Sequence, residues 1–185
     1  MNKLFRFIIF GLLPLFGYAQ VSEASIDSLI FIENSKLRKQ GKFEECIILN
    51  KKIIAISEQK KYTRGIGWGY KGMGNSLSNL GRYKESLNYL NKARAKAEII
   101  NDYQLKAVVA NEIGKNYNDQ KVAPHQAIKQ FKLAEKFAQY IEDDYDRETQ
   151  LLYSYQNQAS AYFGINVADS AKIYLMKSLK IEETV

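Results

Sequence analysis

The chain is poor in the residues that carry most enzyme and metal chemistry. Among 185 residues there are one cysteine, one histidine, one tryptophan and two prolines. A lone cysteine, Cys46, excludes an internal disulfide, and its apolar, small-residue surroundings read as a buried position. A lone histidine, His125, leaves zinc sites and catalytic triads without the second residue they need. It stands beside Pro124, where it reads as a surface residue at a helix start. Alternating apolar and polar runs of useful length are absent, so no strand is expected. The acidic turn at Glu142, Asp143, Asp144, Asp146 and Glu148 lacks the spaced ligands and central glycine of a calcium loop. Gly67, Gly69 and Gly72 match a dinucleotide-binding spacing, but no strand precedes them and they fall inside a helical pattern. No metal or cofactor is therefore expected, and no catalytic residue stands out.

What is present is an ordinary folded composition, 46% apolar and 25% charged, with a net charge of +7. The charge is uneven. Residues 21–100 hold 15 Lys and Arg against 8 Asp and Glu, whereas residues 101–185 hold 10 against 12. A basic half can attract anionic partners over a distance, yet no nucleic-acid recognition motif accompanies it. Residues 1–19 are of different material: Lys3 and Arg6 precede an apolar run from Phe7 to Phe16, then Gly17-Tyr18-Ala19. A basic start, a short apolar segment and small residues at the cut are the marks of a signal peptide. The run is too short to span a bilayer, so the mature chain is expected to start at Gln20, without a membrane span, in the periplasm or outside the cell.

The remainder repeats itself. Residues 73–93 place Met73, Gly74, Leu77, Leu80, Gly81, Tyr83, Ser86, Leu90 and Ala93 at the spacing of two antiparallel helices with a tight turn. Gly74, Ser86 and Ala93 are small where helices approach; Leu77, Tyr83 and Leu90 fill the gap. One period earlier, Leu37, Gly41, Phe43, Cys46 and Ile53 stand at the places of Leu77, Gly81, Tyr83, Ser86 and Ala93. One period later, Ile113, Gly114 and Tyr117 match Met73, Gly74 and Leu77. Ala127, Phe131 and Ala134 then match Ser86, Leu90 and Ala93 a single position late, so the turn between them is longer. Ala159, Tyr162, Ala171, Leu175 and Ser178 form a fourth copy, with Asn166 near the place of the turn glycine. Eight helices are predicted, near 24–40, 43–59, 63–80, 83–99, 103–119, 124–142, 146–163 and 168–183. Gly65, Gly67 and Gly69 have no place in the pattern. They point either to unusually close packing or to a frayed first turn.

These marks resemble the tetratricopeptide repeat (TPR), a helix–turn–helix unit of about 34 residues. The period here is longer, the terminal proline mark is missing, and Ile30, Tyr70, Ala110 and Tyr155 stand at the tryptophan mark. The resemblance implies an all-α, right-handed superhelical solenoid over residues 20–185, with repeats near 27–60, 67–100, 107–142 and 152–183. It also implies that the first helix of each repeat lines a concave face. The glycine register then puts Trp68, Lys71, Asn75 and Asn79 on that face, with Asn111 and Lys115 from the third repeat and Tyr153 and Asn157 from the fourth. The same row holds Phe31 and Arg38 in the first repeat. Amide side chains both donate and accept hydrogen bonds, which suits gripping a peptide backbone.

Lys71 and Asn75 look like the first half of the clamp by which some TPR proteins hold a C-terminal carboxylate. Glu112, Tyr153 and Asn157 depart from its remainder. The expected function is a non-catalytic scaffold of the bacterial envelope that binds proteins or peptides, including ones with acidic groups, but not nucleic acid. The rival expectation is the periplasmic sensory region of a longer transmembrane signalling or transcription-regulating protein. It is motivated by Ile173, Leu175, Met176 and Leu179 on a last helix without a polar cap. That helix also offers a route to self-association. Mass spectrometry of the exported chain is expected to find Gln20 at its N-terminus, and an intact leader there contradicts the export reading.

Overall fold

The computed structural model describes residues 21–121 and 123–183, so the expected leader and the start at Gln20 lie outside the described residues. Among the described residues there are eight helices and no strand. The first, α1, covers 23–39 and changes its winding on the way. It is α-helical over Glu23–Ser28, π-helical over Leu29–Glu33, where the Asn34 N–H donates to the Leu29 carbonyl, and α-helical again over Asn34–Lys39. Then follow α2 (Phe43–Gln59), α3 (Thr63–Asn79), α4 (Tyr83–Ile99) and α5 (Tyr103–Asp119). The last three are α6 (Pro124–Ala138), α7 (Asp144–Gly164) and α8 (Ala168–Glu182).

The helices stop where the turn chemistry directs. Gly41 and Gly81 close α1 and α3 with φ of +71° and +73°, a conformation that glycine adopts without steric cost. The Arg82 N–H then reaches back to the Leu77 carbonyl at 2.8 Å, and the Gly81 N–H to Ser78 at 2.9 Å. The same left-handed position is held by Lys61, Asn101, Lys121 and Asn166 in the intervening turns. Positions 41, 61, 81, 101 and 121 are evenly spaced, two such steps to each repeat. Each helix from α2 to α5 has 17 residues, and those from α2 to α4 are followed by equally short turns, so the period consists of two equal helical units. The turn after α5 is one residue longer, as the late match of Ala127, Phe131 and Ala134 requires. Only α6 departs clearly from its expected span. It ends at Ala138, not near 142, and Ile141 lies buried beyond it against Ala107 and Ala138.

Each helix packs against its neighbours in sequence, and α1, α3, α5 and α7 also touch in succession. Equivalent positions of successive repeats make equivalent crossings. Ser86 Oγ of α4 donates to the Gly74 carbonyl of α3 at 2.7 Å. At the same two positions of the repeat before, Cys46 Sγ of α2 lies 3.9 Å from the Asn34 carbonyl of α1. A Cβ added at Gly74 meets Leu90 at 2.5 Å, and one added at Gly114 collides with Phe131, the residue matching Leu90. In the first repeat the same crossing is polar: Asn34 Nδ2 donates to Asn50 Oδ1 at 2.7 Å, and Asn50 Nδ2 to the Cys46 carbonyl at 2.7 Å. The resulting core runs through α1 to α5, from Ile26 and Ile30 by way of Trp68 and Leu90 to Ile113.

The glycines of α3 are explained by this packing. Gly65, Gly67 and Gly69 are buried, and α3 is helical from Thr63 onward, which removes the frayed-turn alternative. A Cβ at Gly67 lies 2.7 Å from Leu105 of α5, one at Gly69 lies 2.7 Å from Ile54 of α2, and one at Gly72 collides with Asn50. At the far end of the array Ile173, Leu175, Met176 and Leu179 of α8 are exposed. Gly67→Ala is expected to lose about 1–3 kcal/mol by overpacking, whereas Gly164→Ala, with nothing within 4 Å, is expected to lose nothing. Urea unfolding checks the pair, and equal stability of the two variants contradicts the close-packing account.

Candidate functional site

The side chains that the odd-numbered helices turn to one side enclose a cleft of about 590 Å³. Its lining comes mainly from α3 and α5, with contributions from α1, α2 and α7. On α3, Trp68, Lys71, Asn75 and Asn79 follow one another at three- and four-residue steps, which keeps them on one helix face. On α5 the row is Gln104, Val108, Asn111 and Glu112, and Lys115; on α7 it is Gln150, Tyr153 and Asn157. Phe31 lies in the π-helical part of α1, with its ring edge-on to Trp68 at 4.9 Å between centroids. The Arg64 guanidinium lies over both rings, at 5.4 and 5.9 Å, and is held there by Asp27 and Asp102.

A polar network occupies part of the cleft. Asn75 Nδ2 donates to both oxygens of Glu112, at 2.8 and 2.9 Å, and Lys71 Nζ stands 3.6 Å from Glu112 Oε1. The Lys71 and Glu112 side chains keep only 11% and 14% of their surface exposed, so the pair is largely out of water. Burial pulls the Lys71 ammonium below the usual lysine range; Glu112 opposes this, and the positive charges of Arg38 and Lys115 add to it. Asn79 Nδ2 donates to the Asn75 carbonyl at 2.8 Å. Asn111 pairs with Ser154 Oγ of α7 at 3.2 Å, which ties two neighbouring odd helices together at the edge of the cleft. The indole N–H of Trp68 is buried, with 7% of the residue exposed, and finds no acceptor among the described residues.

All eight residues expected on the inner face line this one cleft: Trp68, Lys71, Asn75, Asn79, Asn111, Lys115, Tyr153 and Asn157. They are not equally open. Asn75 and Asn111 are buried and already bonded to Glu112 and Ser154, while Asn79 and Tyr153 are exposed. Phe31 and Arg38, placed in the same row, line it too. Sequence reasoning missed Phe43, Gln104 and Gln150. Gln104 and Gln150 continue the α5 and α7 rows by one turn, a signal that was available. Phe43 enters from α2, outside the first helix of its repeat, and no register marks it. Glu112, read only as a departure from a known pattern, instead supplies the carboxylate to which Lys71 and Asn75 bind.

Among the described residues no group of three or more His, Cys, Asp or Glu side chains could hold a metal ion. No described helix is long and apolar enough to cross a membrane. The acidic residues near 142–148 serve the start of α7: Asp143 Oδ1 accepts the Asp146 N–H at 2.8 Å, and Arg147 pairs with Asp144. No protein-family model matches the chain, and no curated protein matches it.

Because burial lowers the Lys71 pKa, the unfolded chain binds the extra proton between that lowered value and about 10.5. The cost of burying the charge is therefore fully present below the folded pKa and is relieved as pH rises toward 10.5. Wild type is expected to gain stability relative to Lys71→Met between pH 7 and pH 10, as read by urea unfolding. A difference that does not change with pH contradicts it.

Proposed function

We propose that the chain is a non-catalytic binding scaffold, a TPR-like superhelical solenoid that holds an extended peptide or protein segment in the cleft of its inner face. The observation that carries this reading is convergence. Eight residues chosen from three successive repeats by register alone border a single cleft, on helices that also touch in succession. Regularity supports it too: the equal 17-residue helices and the equivalent crossings at Gly74 and Gly114 belong to a stack in which each unit packs on the next. The mixture of amides, aromatic rings and cations suits an extended chain with polar backbone and varied side chains. The basic, apolar and small-residue order of residues 1–19 supports action outside the cytoplasm, in the periplasm or beyond.

One observation favours a second reading. The exposed Ile173, Leu175, Met176 and Leu179 of α8 form an apolar face of the kind that another repeat covers inside an array. It fits a sensory region whose array continues into a longer signalling or transcription-regulating protein. A second copy of the chain meeting the same face would cover it equally well. A native protein whose last residue is Val185, with or without the first nineteen residues, and which is monomeric in solution, counts against both versions.

The test of the main reading uses the chain as bait in envelope extract, beside a Phe31→Ser/Tyr153→Ser double variant. Both side chains are exposed, so the helices remain. Recovery of the specific partners is expected to fall about tenfold, since exposed aromatic anchors carry much of a peptide interface. Equal recovery by the two baits removes the cleft from the function.

A further inference from the structure

The cleft is unbalanced in both charge and hydrogen bonding, and the imbalance specifies an occupant. Of its lining residues Arg38, Lys71 and Lys115 are cationic and Glu112 alone is anionic. The Glu112 carboxylate is already engaged, by Asn75 on both oxygens and by Lys71. Among the described residues Arg38 and Lys115 make no ion pair and no side-chain hydrogen bond, and both repel the Lys71 ammonium. The buried Trp68 N–H is a third donor without an acceptor among the described residues. The unpaired charges are thus both cationic and the buried unmet group is a donor, while the open amides of Gln150 and Asn157 can take either role. An occupant that satisfies the cleft therefore brings acceptors and negative charge.

We infer that the cleft selects extended peptides with acidic side chains, whose carboxylates pair with Arg38 and Lys115, and that Glu112 sets this specificity by closing Lys71 and Asn75 to an incoming carboxylate. The inference rests on the binding function proposed above and names the ligand class for the same site. A carboxylate already sits on Lys71 and Asn75, so a further one meets like charge there, which is a means of rejection as much as of support. A peptide can set a neutral residue beside Glu112 and its acids on either side. A nucleic-acid strand has a regular run of phosphates and would press one against that carboxylate. Phe31, Phe43 and Tyr153 line the cleft and offer aromatic surface to the apolar side chains between the acids.

The test is selection from a displayed random-peptide library, with internal peptides that have no free C-terminus, on the wild-type chain and on the Phe31→Ser/Tyr153→Ser variant. Asp and Glu are expected to be enriched among wild-type binders. Changing the acids of the best peptide to amides is expected to weaken it about tenfold. Arg38→Gln/Lys115→Gln should cost the acidic peptide the same factor while leaving its amide version unchanged, because neither side chain has an ion-pair or hydrogen-bond partner among the described residues to lose. Glu112→Gln should tighten the acidic peptide about tenfold by removing a like charge, and thermal melting of each variant verifies that it is folded.

Binders without acidic bias, or an amide peptide as tight as the acidic one, overturn the charge selection and leave the cleft as a peptide site. Binders that enrich equally on the serine variant, or no binders at all, overturn the scaffold reading and this inference with it. A single-stranded oligonucleotide that binds the wild type more tightly than the best peptide assigns the cationic pair to phosphates and also overturns it.

Discussion

The rest of the structure depends on how closely α3 can be approached from all sides. Five glycines in one 17-residue helix oppose helix formation by roughly 1 kcal/mol each relative to alanine. The helix forms because packing supplies more than propensity removes. Gly69 and Gly72 admit α2, Gly67 admits Leu105 of α5, and Gly74 admits Leu90 of α4. With its backbone thus enclosed, α3 buries Trp68, Met73 and Leu77. It leaves the Trp68–Lys71–Asn75 face toward the cleft, where α5 stands close enough for Glu112 to meet Lys71 and Asn75. Backbone approach and polar network are two consequences of one spacing.

That spacing also explains how a lysine and a glutamate are held together with little exposure. A buried ion pair gains stability only when its remaining donors and acceptors are satisfied. Here both Glu112 oxygens are bonded to Asn75, and Asn79 in turn holds the Asn75 carbonyl. The network is local and nearly neutral. The charge left over belongs to Arg38 at the end of α1 and Lys115 on α5, the residues that give the cleft its sign. Fold and electrostatics thereby divide the work, since the enclosed pair sets shape and the unpaired cations set preference.

Much of the architecture was legible in the chain because small and bulky marks recur with a turn signal at a fixed interval. Gly41 and Gly81 end their helices as expected, and Asn166 takes the left-handed turn position where no glycine stands. The inner-face register was legible for the same reason, since residues three and four apart on a helix must share a face. What could not be read depends on contacts between distant residues. The π-helical segment at Leu29–Glu33 places Phe31 beside Trp68, and nothing local announces it. The Asn34–Asn50 pair replaces the glycine–leucine crossing of the second repeat, so two polar residues stand where the pattern called for apolar ones. Ile141 kept the apolar spacing going beyond the true end of α6, and the expected helix ran past Ala138 into the turn. The glycine cluster left two explanations open, and only the neighbours across the crossing choose between them.

Amide hydrogen exchange across α3 tests the central claim most directly, because enclosure by three other helices leaves its backbone no independent route to water. The account predicts that amides from Gly69 to Leu77 exchange only through global unfolding and rank with the slowest in the chain. Fast exchange there, while α2 and α4 stay protected, would show a loosely held helix and would take both the glycine-built spacing and the cleft away together.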